Sequence, residues 1–183
     1  KRADMTRYEL FLRETRTYEI IEDVKNFRSE IGVLFLNSYN RDVLTKMFDD
    51  NRLTYTSLFK ARPHIFVSKS NPLAKHKVVS LEDLEDFPYL SYDQGIHNSF
   101  YYSEEILSQI PHKKSIVVSD RATLFNLLIG LDGYTIATGI LNSNLNGDNI
   151  VSIPLDIDDE IDIVYLKHEK ATLSKMGEKF LDN

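Results

Sequence analysis

Apolar positions along this chain fall into two rhythms, short continuous runs and three-to-four-residue spacings, and the two alternate from one end to the other. Leu10, Phe11 and Leu12 form a brief apolar run with polar flanks, which predicts a strand over 8–13. Thr15, Arg16 and Thr17 follow as a cap, and Tyr18, Ile21, Val24 and Phe27 recur at helical spacing. Residues 30–36 are almost continuously apolar, as a buried parallel strand would be. After the polar Asn37, Ser38, Tyr39 and Asn40, a helix is predicted with Val43, Leu44, Met47 and Phe48 on one side. Strands are predicted over 53–60 and 62–69.

The second half repeats the alternation. Ser80 and Asp83 have the spacing of a capping box and open a helix of one or two turns. A strand over 89–92 leads into a polar turn over 93–98 with Gly95, then a helix to about Ile110, which Pro111 ends. A strand is predicted over 115–118. Ser119 and Asp120 cap a helix carrying Leu124, Leu127, Leu128 and Leu131, and Gly133 is placed as its C-terminal cap. Further strands are read over 134–137, 151–154 and 161–166. A last helix over about 171–181 carries Leu173, Met176 and Phe180. Strands alternating with helices predict an α/β fold with parallel pairing.

Composition removes several function classes. The 183 residues carry a net charge of -6, so the chain lacks the basic balance of a DNA-binding module. It has no cysteine, which excludes disulfides, thiolate metal sites and thiol nucleophiles and agrees with a cytoplasmic setting. No apolar run is long enough to cross a bilayer, so no membrane partner is expected. The five histidines, His64, His76, His97, His112 and His168, include no pair at the i, i+4 spacing of a helical metal site. A serine elbow and a glycine-rich phosphate loop are both missing, so no catalytic residue, metal or cofactor is assigned and the chain reads as a non-enzyme. Phe100, Tyr101 and Tyr102 could stack on nucleobases, but Glu104 and Glu105 follow where a nucleic-acid platform would carry basic residues.

One stretch is more specific. Phe66 to Ser68 is an apolar strand end, Asn71 and Pro72 make a turn before Leu73 and Ala74, and Leu81, Glu82, Asp83 and Leu84 precede Pro88 and a second apolar run. This order resembles the start of the second subdomain in the effector-binding domain of LysR-type transcriptional regulators. Ile129, Gly130, Gly133, Ile136 and Ala137 resemble a later glycine-containing segment of that family, with Gly139 and Ile140 where many members have proline. The resemblance implies two Rossmann-like lobes joined by crossover strands, as in type 2 periplasmic binding proteins. Lobe one would be residues 1–65 plus 160–183, incomplete at its N-terminus, and lobe two residues 66–159. It further implies a small-molecule effector, a homodimer or tetramer in the full-length protein, and DNA contact only through a helix-turn-helix domain absent from this chain. The other reading is a stand-alone solute-binding protein or an enzyme of similar two-lobe fold.

Candidate site residues come from the turns where strands end and helices begin: Thr15, Arg16 and Thr17; Asn37, Ser38 and Tyr39; Tyr92, Asp93 and Gln94; Ser119, Asp120 and Thr123. In open α/β sheets ligands sit beyond the carboxyl ends of strands, and helix N-termini present free N–H groups. Each of these residues could equally be a simple N-cap. That they face one inter-lobe cleft is what the resemblance implies, with Asn37, Gln94 and Thr123 on its wall. Arg16 could pair with a ligand carboxylate and Asp93 or Asp120 with an ammonium group, which would suit an amino acid or a carboxylate.

Overall fold

The computed structural model describes residues 8–97, 99–141 and 148–182. The elements are α1 (Thr17–Lys25), β1 (Gly32–Leu36), α2 (Arg41–Asp50), β2 (Leu53–Ala61), β3 (His64–Ser68), β4 (Tyr89–Tyr92), β5 (Ser115–Val118), α3 (Arg121–Gly130), β6 (Tyr134–Ala137), β7 (Ile150–Pro154), β8 (Ile161–His168) and α4 (Lys175–Leu181). Single 3₁₀ turns occupy Pro72–Lys75, Glu82–Leu84 and Phe100–Tyr102.

The strands form two sheets. The first has the order β1-β8-β2 and the second β5-β4-β6-β3-β7. Parallel pairing is found only for β5-β4-β6; β8 pairs antiparallel with both β1 and β2, and β3 antiparallel with β6 and β7. The expectation of parallel strands fails in the first sheet because its central strand arrives from the far end of the chain, after the second sheet is complete. Alternate residues of β8 separate two cores. Val164 and Leu166 pack with Leu34, Leu36, Ile21, Val24, Leu44 and Phe48 under α1 and α2. Ile161 and Ile163 instead join the core of the second sheet with Ile65, Val67, Ile136 and Ile153. The opposite face of that sheet, with Phe66 and Leu90, is covered by Leu124 and Leu128 of α3. Covering both faces with apolar side chains is why these strands read as nearly continuous apolar runs.

Several local expectations are met. Ser80 and Asp83 bond reciprocally as a capping box, Ser80 N–H to Asp83 Oδ2 at 2.8 Å and Asp83 N–H to Ser80 Oγ at 3.3 Å. Asp120 caps α3 by accepting the Thr123 N–H at 2.9 Å.

Others are corrected. Residues 8–13 form no strand, and Leu10, Phe11 and Leu12 lie exposed, because no described strand pairs with them. An apolar run becomes a strand only with a ladder partner. The N-cap of α1 is Arg16, with no side-chain cap bond from Thr15 or Thr17; Thr17 is the buried first residue of the helix. Phe27 falls beyond the helix at φ 57 and is exposed. Gly133 is not the cap of α3, which ends at Gly130 with Leu131 as C-cap. A Cβ at Gly133 would lie 2.6 Å from Leu90 Cδ1 and 3.0 Å from Pro88 O, so glycine there lets the chain close onto β4. The helix expected up to Ile110 is a single turn at Phe100–Tyr102, and Asn98, the expected end of the polar turn before it, lies outside the described residues. Leu107 at φ 62 cannot continue a right-handed helix, and Glu105 turns inward to accept the Tyr92 N–H. On α2, Leu44 and Phe48 are buried in the protein's own core, Met47 is half-buried, and Val43 remains exposed.

Candidate ligand site between the two sheets

The residues ahead of α1 project across to the end of β4 and the start of α3, and two adjoining depressions form there. The larger, about 750 Å³, is lined by Arg13, Glu14, Thr15, Arg16, Tyr18, Glu19, Glu22, Asp23, Arg28, Gln94, Ile96 and His97. The smaller, about 260 Å³, is lined by Glu14, Thr15, Arg16, Glu19, Tyr92, Asp93, Glu104, Ser119, Asp120 and Arg121. Glu14, Thr15, Arg16 and Glu19 are common to both.

Arg16 ties the two sides together. Its Nε donates to the Asp93 carbonyl at 2.8 Å and its Nη2 to Asp93 Oδ2 at 3.1 Å, while Nη1 reaches Glu19 Oε1 at 3.3 Å. Gly95, at φ 62, makes room for this guanidinium: a Cβ there would stand 2.8 Å from Arg16 Nη1. Asp93 Oδ1 accepts the Gly95 N–H at 2.9 Å and so holds the turn. Arg16 and Asp93 are both partly exposed, so this pair adds little to stability and more to orientation. Aromatic contacts repeat the bridge. His97 stacks on Tyr18 with ring centroids 3.5 Å apart, Tyr101 stacks on Tyr39 at 4.9 Å, and the Tyr102 hydroxyl lies 3.7 Å from the Met47 sulfur.

The charge around the smaller depression is uneven. The Thr15 hydroxyl, and then Arg16, hold the Glu19 carboxyl below the usual range. Asp120 is also held low, chiefly by the Thr123 N–H it accepts. Glu104 behaves oppositely: burial first, and the Glu14 carboxylate second, push it up to about 7. Burial pushes the Tyr92 hydroxyl up to about 12, so it stays protonated and able to donate. Arg121 lies 3.8 Å from Glu14 and 5.1 Å from the centroid of the Phe125 ring.

Most of the turn residues singled out from the sequence meet here. Thr15, Arg16, Tyr92, Asp93, Ser119 and Asp120 line the smaller depression, and Gln94 the larger. The turn at Asn37, Ser38 and Tyr39 lies elsewhere. Asn37 is buried, its Oδ1 accepting the N–H groups of Tyr39 and Asn40 and its Nδ2 donating to Asp159 Oδ2 at 3.2 Å. Ser38 and Tyr39 are not among the lining residues, and Tyr39 is engaged with Tyr101. Thr123 bonds Asp120 through both its N–H and its hydroxyl. Sequence reasoning missed Glu14, Glu19, Glu104 and Arg121. Among the described residues, no group of three or more His, Asp or Glu side chains is placed to hold a metal ion.

Comparison with known proteins assigns this architecture. The model of the LysR substrate binding domain matches residues 2–183, and the chain belongs to that family. Its fold is the α/β, type 2 periplasmic-binding-protein-like fold of these domains, and the family is one of transcriptional regulators. The structure is similar to the effector-binding domain of QuiR in complex with shikimate, with 19% identity, TM-score 0.63, and 92% of this chain and 76% of that one covered. It is similar to the BenM effector-binding domain with its effector benzoate, with 20% identity, TM-score 0.59, and coverage of 89% and 71%. HinK, a LysR family regulator from Pseudomonas aeruginosa, matches with 16% identity and TM-score 0.63; 93% of this chain is covered but only 57% of that one. No curated protein matches the chain. No helix among the described residues is long and apolar enough to cross a membrane.

Proposed function

We propose that this chain is the ligand-sensing regulatory domain of a LysR-type transcription factor, working in the cytoplasm without catalysis. Lobe one is residues 1–65 plus 160–183 and lobe two residues 66–159, and a small polar metabolite binds between them. The observation that carries this reading is the meeting of three chain segments, at Thr15 and Arg16, at Tyr92 and Asp93, and at Ser119 and Asp120, around one depression. A ligand touching all three can act as a signal only if it binds one relative arrangement of the lobes better than another. Shikimate and benzoate, bound by QuiR and BenM, support a carboxylate on the ligand, and Arg16 would meet one by exchanging its long 3.3 Å contact to Glu19. Glu14, Glu19, Asp93, Glu104 and Asp120 face only Arg16 and Arg121 there, which favours a ligand bringing a positive group as well. An amino acid fits both demands. Contact with DNA belongs to a helix-turn-helix domain outside this chain, and homodimer or tetramer formation to the whole regulator.

The test is thermal melting of the purified chain against matched panels of amino acids, carboxylates and neutral polyols. A true ligand at about a hundred times its Kd should add about 2.7 kcal/mol, a rise of roughly 5–10 °C for a domain of this size. A uniform absence of shifts across millimolar amino acids and carboxylates would count against the reading.

A further inference from the structure

Glu105 is 4 % exposed, yet it sits in no ordinary ion pair. Its Oε1 accepts the Tyr92 N–H at 2.5 Å. Its Oε2 has no partner. The Tyr89 hydroxyl is likewise buried without a partner, as is Nε2 of His112, whose ring stacks on Tyr89 at 3.7 Å. Buried polar atoms nearly always find partners, and a full charge among unpartnered ones is costly.

The groups facing Glu105 supply no compensating cation. Tyr89 and Tyr92 face it from β4, and Glu104 stands next to it in the chain. Behind Tyr89, the Tyr134 hydroxyl of β6 lies 2.9 Å from His112 Nδ1, and burial holds His112 below its ordinary value, so it is neutral at pH 7. Glu104 in turn faces Glu14, Glu19 and Arg16, and Arg16 is already bonded to Asp93 and Glu19.

We infer that Glu105 is a proton-binding site, occupied when the segment 99–106 is packed against β4, α1 and α2 and emptied when that segment opens. Tyr101 and Tyr102 of this segment, with Asp93 and His97 beyond β4, reach Tyr39, Met47, Arg16 and Tyr18 on the other side of the candidate ligand site. A proton is therefore a second input to the domain, acting on the bridge between the sheets. Burial pushes the carboxyl up to about 7 from 4.5. An acid raised in the packed state binds more protons packed than open between those two values. Packing is then strongest below about 4.5, weakens as pH rises toward 7, and levels off above it. Glu105 alone then multiplies the opening equilibrium about tenfold per pH unit inside that window, and Glu104, in the same segment and also raised to about 7, adds its own contribution.

Carbon-detected NMR titration of the Glu105 carboxyl in the intact chain tests this, together with hydrogen exchange at the Tyr92, Tyr102 and Ser103 amides from pH 5 to 8. The expected midpoint is near 7. Exchange, corrected for intrinsic base catalysis, should rise at least tenfold per unit up to 7 and flatten above. The Glu105 contribution is read in the Glu104→Gln background, where the about tenfold slope should persist, and adding Glu105→Gln to it should flatten the exchange. A Glu105 midpoint near 4.5 overturns the inference, as does a slope absent from Glu104→Gln or one that survives the double replacement. If Glu105→Gln fails to fold, the wild-type carboxyl titration decides alone. The outcome is independent of which metabolite binds, since the experiment contains none.

Discussion

Replacing Phe48 with alanine is expected to cost the fold about 3–5 kcal/mol. Phe48 is fully buried, the largest of the side chains with no measurable exposure, and packs with Leu36, Leu44 and Leu53 between α2 and the first sheet. Its ring also meets Tyr55 of the edge strand β2 at 5.7 Å. Truncation leaves a cavity that α2 cannot close, because Leu44 and Leu53 are held by their own contacts and the sheet behind them is hydrogen-bonded through β8. Against a total stability of about 5–15 kcal/mol for an ordinary domain, such a loss takes a third or more. The comparison variant is Phe180→Ala on α4, where the side chain is 49% exposed and the cost should stay below about 1 kcal/mol. Urea melts of both variants read the difference directly; near-equal midpoints would mean that α2 is not anchored as described.

The largest functional effect is expected at Arg16. Arg16→Ala should weaken the amino acid or carboxylate found by melting by roughly 10- to 100-fold, the value of a charge-assisted hydrogen bond of about 1.5–3 kcal/mol. Arg16→Lys should recover only part of this, because an ammonium cannot keep the two bonds to Asp93 that orient the guanidinium and also reach a ligand carboxylate. The stability of both variants should change little, since the Arg16 side chain is partly exposed and its ion pairs are near the surface. Calorimetric titration separates the two effects. Unchanged affinity in Arg16→Ala would move the ligand away from this wall.

The parts of the fold that were legible were those written in local spacing. Ile21 and Val24 on α1, Leu44 and Phe48 on α2, and Leu124 and Leu128 on α3 repeat at helical intervals, and all are buried. The capping box at Ser80 and Asp83 and the cap at Asp120 need only three-residue reach, and both form. Strand direction was not legible, because β8 joins β1 from about 130 residues away and nothing in either run encodes its polarity. The segment after β4 misled for a related reason. Phe100 to Ile110 has residues a helix would accept, but its course is set by long-range partners: Tyr101 by Tyr39 and Tyr102 by Met47. The same limit applied to the site. Turn chemistry pointed to Thr15, Arg16, Tyr92, Asp93, Ser119 and Asp120, whereas Glu104 gains its environment from Glu14 and Arg16, on the far side of the chain. Two adjacent acids following three aromatics, Phe100, Tyr101 and Tyr102, were used only to set aside a nucleic-acid platform, and their inward turning was missed.

The central claim is that a small polar metabolite binds where the segments at Thr15, Tyr92 and Ser119 meet. Its most direct measurement is the map of backbone amide shifts on saturating the isotope-labelled chain with the tightest amino acid or carboxylate from the melting panel. The account predicts that the largest shifts cluster at 14–19, 92–95 and 119–121, and that Arg16→Ala erases them at the same ligand concentration. Shifts centred instead on the exposed face of β2, or persisting unchanged in Arg16→Ala, would contradict it.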